Sequence, residues 1–168
     1  AAELPETANS RVSPIYLTAG FVLDDFDSAA ELFESGDGYS YTRVANPTIA
    51  AVERRIADLE GGAEAVLVGS GQAAVALSIL GLLKSGDHIV SSTRLYEGTR
   101  ELFRDNLARL GITTDFVEDI NSPSAWEDAI LPSTRVLFAE SISNPKNEVL
   151  DIAAIAELAH AHGIPLII

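Results

Sequence analysis

Short apolar runs alternate with longer amphipathic segments along most of the chain. Apolar runs of four to eight residues predict buried strands, whereas apolar positions three and four apart predict helices that bury one face. Five strands are predicted, at 65–68, 88–91, 113–117, 135–139 and 166–168. Helices are predicted between them, at 71–83, 98–110, 124–130 and 152–162. Strands that are apolar on both faces and alternate with helices predict an α/β fold, a mostly parallel sheet with helices on both faces.

The first 47 residues lack this alternation. They show no sustained period and are interrupted by proline and glycine, so they predict an extended arm with one short helix near residues 28–34. From Thr48, which we predict to be an N-cap, apolar residues recur on one helix face until Gly61. We therefore expect an N-terminal arm at 1–47 and an α/β domain at 48–168.

The last predicted strand opens with the apolar run from Pro165 to Ile168. Nothing polar follows this run, and the alternation before it predicts further strands and helices. We therefore expect a truncated chain whose sheet is incomplete at the C-terminus.

The composition narrows the possible partners. The chain has 25 Asp and Glu residues against 11 Lys and Arg, which gives a formal net charge of −14. Such a surface repels nucleic-acid phosphates and anionic membranes, so neither is an expected partner. No uninterrupted apolar stretch reaches the roughly 20 residues of a membrane-spanning helix, and a cytoplasmic location is the default expectation.

Metal binding is not indicated. The chain has no cysteine, which excludes disulfides and thiolate ligands within it. The three histidines, His88, His160 and His162, lack the spacing of metal ligands with a third ligand nearby. We expect no metal site.

The strongest local signal is the turn Gly69-Ser70-Gly71-Gln72, which lies between a predicted strand and a predicted helix. The first backbone N–H groups of such a helix lack internal partners and, with the helix dipole, form an anion site that often takes phosphate. Two alternatives remain open on these residues alone. The turn could be a tight connection without a ligand. It also matches the dinucleotide fingerprint in its G-x-G-x-x-A form, with Arg94 available for the 2′-phosphate of NADP.

Three weaker signals accompany this turn. Tyr41 and Arg43 offer a hydroxyl and a guanidinium fork to a phosphate, although on these residues alone a surface loop paired with acidic residues is the better explanation. Tyr96 follows the strand at 88–91, where parallel sheets bind ligands, and could stack on a flat ring or simply pack a helix start. Glu140 and Asn144 follow the strand at 135–139, and Asn144-Pro145 is also typical of a plain turn.

The order of these signals resembles the Cys/Met-metabolism enzymes that depend on pyridoxal 5′-phosphate (PLP), from about residue 11 to residue 168. The resemblance rests on six ordered motifs: Tyr41-Thr42-Arg43 with Asn46-Pro47-Thr48, Leu59-Glu60-Gly61-Gly62, Ser70-Gly71-Gln72-Ala73-Ala74, Gly86-Asp87-His88, Leu95-Tyr96, and Glu140-Ser141 with Asn144-Pro145. It implies the large domain of a type I PLP enzyme.

The resemblance also implies roles for individual residues. The Ser70-Gly71-Gln72 turn would bind the PLP phosphate. Tyr41 and Arg43 would reach the phosphate in a neighbouring subunit, which implies a homo-oligomer, a dimer of dimers in the full-length protein.

The other motifs would surround the cofactor ring. Tyr96 would stack on the pyridine ring and help proton transfer at the leaving group, which makes it the candidate catalytic residue of this chain. Asn144 would lie near the ring oxygen, and Glu140 would support that side of the site.

Within the family, the SGQAA, GDHIV and LYEGT segments are most similar to the O-acetylhomoserine sulfhydrylase branch. The implied reaction replaces the γ-acetoxy group of O-acetylhomoserine with sulfide and yields homocysteine and acetate. Glu97 and Arg100 stand where a glycine and an aromatic are commoner, which leaves the acyl donor open. A cystathionine γ-synthase, a cystathionine or methionine γ-lyase, an NADP oxidoreductase and a non-catalytic fragment are the alternatives.

The chain departs from the family in its lysines. Its only two are Lys84 and Lys146, and neither stands where the family places the Schiff-base lysine, so we interpret both as solvated charges. We expect the chain to be inactive by itself.

Overall fold

The computed structural model describes residues 11–168, which form two compact units that divide between Leu67 and Val68. The sequence predicted a different kind of boundary, after residue 47, between an arm that reaches a neighbouring subunit and the α/β domain. That role of the arm stays a prediction.

The first unit contains two helices, α1 (Phe26–Ser35) and α2 (Pro47–Glu60). The short helix predicted near 28–34 is confirmed. The N-cap predicted at Thr48 is wrong, because Pro47 takes the first helical position and Asn46 caps the helix by accepting the N–H of Thr48 at 2.8 Å. Helix α2 ends as predicted at Gly61, whose φ of 65° is the left-handed conformation that glycine adopts without strain.

The second unit is a parallel sheet with helices between its strands. The strands are β1 (His88–Ser92), β2 (Thr113–Val117), β3 (Thr134–Phe138) and β4 (Leu166–Ile167), in the spatial order β2-β1-β3-β4. The helices are α3 (Gly71–Leu82), α4 (Glu97–Glu101), α5 (Pro123–Asp128) and α6 (Ile152–Ala161). After α4 the helix continues with a π-helical segment, Leu102–Leu107, and a short 3₁₀ turn, Ala108–Leu110. The α/β class and the parallel sheet are therefore confirmed.

The strand predicted at 65–68 is wrong. A strand needs a neighbour to satisfy its backbone groups, and within residues 11–168 no strand pairs with this segment. The backbone N–H of Leu67 instead donates to Oε1 of Glu53 at 2.8 Å. Val66 is 80% exposed and therefore contributes little to a buried core, so its apolar character alone does not produce a strand.

Helices cover both faces of the sheet, as predicted. Ile89 and Val90 are neighbours in β1 but belong to two separate buried clusters, because successive side chains of a strand point to opposite faces. One cluster packs β1 and β3 against α5 and α6, and Trp126 lies at its centre with its indole N–H donating to the carbonyl of Ile120 at 2.9 Å. The other cluster packs the opposite face against α3 and the π-helical segment.

Strand β2 departs from the predicted pattern of strands that are apolar on both faces. It lies at the edge of the sheet and is partly exposed along most of its length. Among the described helices, none is long and apolar enough to cross a lipid bilayer.

His88 is buried at the start of β1. Its Nδ1 lies 2.8 Å from Oγ1 of Thr134, and its Nε2 lies 3.5 Å from a carboxylate oxygen of Asp115, too far for a good hydrogen bond. Burial lowers the pKa of His88 below its ordinary value, and the attraction of Asp115 opposes this shift only in part. The folded protein therefore holds His88 as a neutral ring.

This burial predicts a pH-dependent stability. Below the ordinary histidine pKa of 6.5, the unfolded chain takes up a proton that folded His88 does not, so the free energy of unfolding falls as the pH is lowered. We expect His88→Gln to flatten this part of the profile in urea titrations between pH 5 and 8. His160→Gln, at an exposed position, is the matched control. An unchanged slope in His88→Gln would contradict the assignment.

Candidate functional site

The N-terminus of α3 presents unpaired backbone donors. Ser70 is the N-cap, and its Oγ accepts the N–H of Ala73 at 3.1 Å. The N–H groups of Gly71 and Gln72, at the first two helical positions, have no carbonyl partner within the helix. These donors and the helix dipole favour an anion at this end of α3.

Gln72 and Tyr96 both lie against the backbone of Gly98. A Cβ atom at Gly98 would stand 2.5 Å from Cε1 of Tyr96 and 2.8 Å from Nε2 of Gln72, so a side chain larger than hydrogen would displace both. Gln72 Nε2 lies 3.4 Å from Oγ1 of buried Thr99, and its buried Oε1 has no hydrogen-bond partner. Glycine at position 98 thus lets the predicted ring-stacking residue approach the predicted phosphate turn. The sequence gives no local signal for this role, because it depends on the approach of two distant segments.

Tyr96 is fixed through its backbone and leaves its ring accessible. Its N–H donates to Oε1 of Glu140 at 2.8 Å, and its side chain is 52% exposed. Glu140 follows β3 and Tyr96 follows β1, so this bond joins the carboxyl ends of two adjacent strands. Glu140 thus contacts the backbone that carries Tyr96.

Asn144 belongs to the loop after β3 and precedes a cis peptide bond to Pro145. It lines an open cleft of about 390 Å³ together with Tyr96. The cleft is completed by seven further residues: Thr93, Arg94, Leu95, Glu97, Arg100, Pro145 and Lys146. The structure therefore brings Tyr96 and Asn144 to one concavity at the carboxyl edge of the sheet.

Arg100 and Lys146 were not predicted as cleft residues. Arg100 pairs with Glu97 at 3.2 Å, which links the two residues that depart from the commoner pattern of the family. Lys146 is exposed, which agrees with its prediction as a solvated charge, and it also lines the cleft next to Asn144.

Tyr41 and Arg43 lie in the first unit. Tyr41 forms an antiparallel bridge with Gly20, and the guanidinium of Arg43 stands 5.4 Å from the centre of the Tyr41 ring, within cation–π range. Both line an open groove with residues 16–19. Their predicted reach to a phosphate in a neighbouring subunit stays a prediction. Over residues 11–168, no three histidine, aspartate or glutamate side chains gather as a metal-ligand set.

Comparison with known proteins identifies the family. The model of the Cys/Met metabolism PLP-dependent enzymes matches residues 1–168. The chain belongs to this family. The family consists of PLP-dependent enzymes, and this favours PLP over a dinucleotide at the Ser70 turn.

Two similar members of the family are sulfhydrylases. O-Acetyl-L-homoserine sulfhydrylase of Corynebacterium glutamicum is 48% identical over 161 residues, which cover 95% of this chain and 37% of that protein. O-Succinylhomoserine sulfhydrylase of Pseudomonas aeruginosa is 42% identical over 137 residues, or 82% of this chain and 34% of that protein. The chain thus spans little more than a third of the length of these relatives.

A solved structure agrees with the fold. A Campylobacter jejuni protein described as an O-acetylhomoserine (thiol)-lyase superposes with a TM-score of 0.86 at 34% identity, over 94% of this chain and 39% of that chain. That structure contains N′-pyridoxyl-lysine-5′-monophosphate.

The described residues suit PLP on chemical grounds. Two unpaired N–H groups at a helix N-terminus match a phosphate, because they supply fixed donors without a side-chain charge. The exposed ring of Tyr96 matches the face of a pyridine ring, and the side-chain amide of Asn144 can donate to a ring oxygen. This agreement concerns donor chemistry and not the position of the group.

Gly98→Ala tests whether the close approach of Tyr96 and Gln72 matters for PLP. We expect about tenfold weaker PLP binding, because the new methyl group displaces both side chains from their places beside the helix start. PLP affinity would be measured by absorbance titration, with the thermal midpoint as a check on folding.

Gly81→Ala is the matched control for this substitution. Gly81 is also helical, but a Cβ there meets nothing within 4 Å. It should leave PLP affinity unchanged and stabilise the fold by up to about 1 kcal/mol. Equal PLP affinities in the two variants would contradict the proposed importance of Gly98.

Proposed function

We propose that this chain is the phosphate- and ring-binding part of an O-acetylhomoserine sulfhydrylase, which converts O-acetylhomoserine and sulfide into homocysteine and acetate. The observation that carries the proposal is the convergence on one unit of a capped helix start at Ser70, the exposed ring of Tyr96 and the cleft residue Asn144. The sulfhydrylase names of the relatives support the reaction type. Because the chain spans little more than a third of these proteins, the reaction is proposed for the whole protein.

The phosphate is held by the start of α3 in this proposal. Gly71 and Gln72 donate their backbone N–H groups, and Ser70 fixes the turn by capping the helix. A chain with a net charge of −14 repels anions at long range, so the site depends on these short-range, oriented donors.

The ring is held at the cleft. Tyr96 would stack on its face and Asn144 would donate to its oxygen, while Glu140 keeps the Tyr96 backbone in place through the 2.8 Å bond. When bound, PLP takes up the electron pair that the substrate α-carbon releases. The Tyr96 hydroxyl is proposed to donate a hydrogen bond to the acyloxy oxygen as the carboxylate leaves, and so to help proton transfer at the leaving group.

O-Succinylhomoserine is a second candidate donor. Arg100 and Lys146 place two cations on the cleft, and a succinyl group carries a carboxylate that an acetyl group lacks. Glu97 neutralises part of this charge through its pair with Arg100, so acetyl remains the first choice.

A chimaera tests the reaction. In the Corynebacterium glutamicum sulfhydrylase, the segment that matches this chain is replaced by the chain itself. We expect homocysteine from O-acetylhomoserine and sulfide, and a kcat lowered about 100-fold or more by Tyr96→Phe if its hydroxyl moves the proton. Faster turnover of O-succinylhomoserine than of O-acetylhomoserine would support the second donor. Formation of cystathionine from cysteine would support a γ-synthase instead.

The isolated chain is proposed to be inactive, because its only lysines are Lys84 and Lys146 and neither stands where the family places the Schiff-base lysine. Lys84 precedes β1 and therefore lies at the opposite end of that strand from Tyr96, whereas Lys146 lines the cleft. After incubation with PLP and reduction with borohydride, we expect an intact mass of 17.8 kDa and no homocysteine formation. Homocysteine formed by the isolated chain would overturn the inactive assignment. A stoichiometric adduct that disappears in Lys146→Met but persists in Lys84→Met would identify Lys146 as the lysine that reacts with PLP.

The groove of Tyr41 and Arg43 is proposed to serve a neighbouring subunit. If so, Arg43→Met should lower PLP affinity in the oligomer, and mixing it with a Ser70→Ala variant should restore some complete sites.

A further inference from the structure

Arg94 links the end of β1 to the segments that follow β2 and β3. It follows β1, and its side chain is 25% exposed. Its Nε donates to Glu148 in the loop after β3 at 2.8 Å, and its Nη1 donates to Glu118 after β2 at 3.2 Å. Its own backbone N–H is held by Oγ of Ser92 at 2.8 Å, so the guanidinium extends from a fixed point.

Glu148 is in turn tied to the residue before Asn144. Its backbone N–H donates to Oγ of Ser143 at 3.0 Å, and its carbonyl accepts the N–H of Ser143 at 2.9 Å. Ser143 is buried, with 3% exposure. A displacement of Glu148 therefore displaces Ser143 and, with it, Asn144.

The other end of this loop has an independent anchor. Asn121 donates to the carbonyl of Val149 at 3.0 Å and accepts the N–H of Asp151 at 2.7 Å. The base of the loop is thus held without Arg94. Hydrogen bonds within the loop hold its two arms together, and the contact of Arg94 with Glu148 joins the loop to the end of β1.

We propose that Arg94 is a positioning residue that holds Asn144 at the cleft wall opposite Tyr96 and thereby sets the width of the ring site. The inference rests on the proposed function for the identity of the ring. A guanidinium suits this task because its planar fork donates in two directions at once, whereas the single ammonium of lysine does not reproduce that geometry.

Arg94→Met tests the proposal through two readouts. In hydrogen exchange, amides of residues 141–148 should exchange faster, while the amides of β3 and of Asp151, which Asn121 holds, should not change. In titrations, PLP should bind about tenfold more weakly, since the hydrogen bond that ties Glu148 to Arg94 is lost together with the one to Glu118. Inorganic phosphate should bind within about twofold of the original affinity. Arg94→Lys should recover less than half of the lost PLP binding free energy.

Arg104→Met is the matched control. Arg104 also contacts two carboxylates, Asp105 at 2.8 Å and Glu97 at 3.8 Å, but all three belong to one helical stretch. It should change neither the exchange of 141–148 nor the ratio of PLP to phosphate affinity. Glu148→Gln, which removes the charge and keeps the shape, is the second variant if Arg94→Met fails to fold, and it should shift both readouts in the same direction by less.

The outcomes separate the two proposals. If the unaltered chain binds phosphate but not PLP, the ring site fails, and hydrogen exchange alone then judges Arg94. If PLP binds and Arg94→Met changes neither exchange nor affinity, Arg94 is no positioning residue. If PLP and phosphate affinities fall equally, its role is merely structural and the inference is overturned.

Discussion

The parallel pairing of β1 with both β2 and β3 is the constraint on which the candidate site depends. The pairing begins at His88, which is opposite Thr113 on one side and Thr134 on the other. All three strands therefore end at the same edge of the sheet, the carboxyl edge. The three loops that follow them must then share that edge. Tyr96, Glu140 and the cleft lie there because of this register, and a sheet with one reversed strand would separate them.

Polar contacts then convert a shared edge into a defined shape. The bond from the Tyr96 backbone to Glu140 and the contacts of Arg94 with Glu118 and Glu148 each join segments more than 20 residues apart in the chain. None of these carboxylates is deeply buried, so none pays the full cost of leaving water. Their contribution is orientation more than stability.

The sequence pattern predicts what is periodic and local. Strands β1 and β3 are recognised because each contains a short apolar stretch that is buried on both faces, Ile89-Val90 in β1 and Val136 to Phe138 in β3. Helix α3 is recognised because Ser70 and Gly71 mark its start. The segment at 65–68 shows the limit, since it has the composition of a strand but no partner among the strands of residues 11–168. The N-cap at Asn46 shows another, because the first position belongs to Pro47. The contact of Gly98 with Gln72 and the contacts of Arg94 with Glu118 and Glu148 were beyond local reasoning, since these neighbours come from elsewhere in the chain.

The position of Trp126 means that tryptophan fluorescence reports on one face of the sheet and not on the other. It is the only tryptophan of the chain, and it is fully buried on the face that packs α5 and α6. The opposite face is built around the edge-to-face pair of Phe103 and Phe138, which absorbs and emits far more weakly. Indole emission therefore reports the assembly of one layer alone, while circular dichroism averages over both. A difference between the two signals during refolding would show that the layers form at different times.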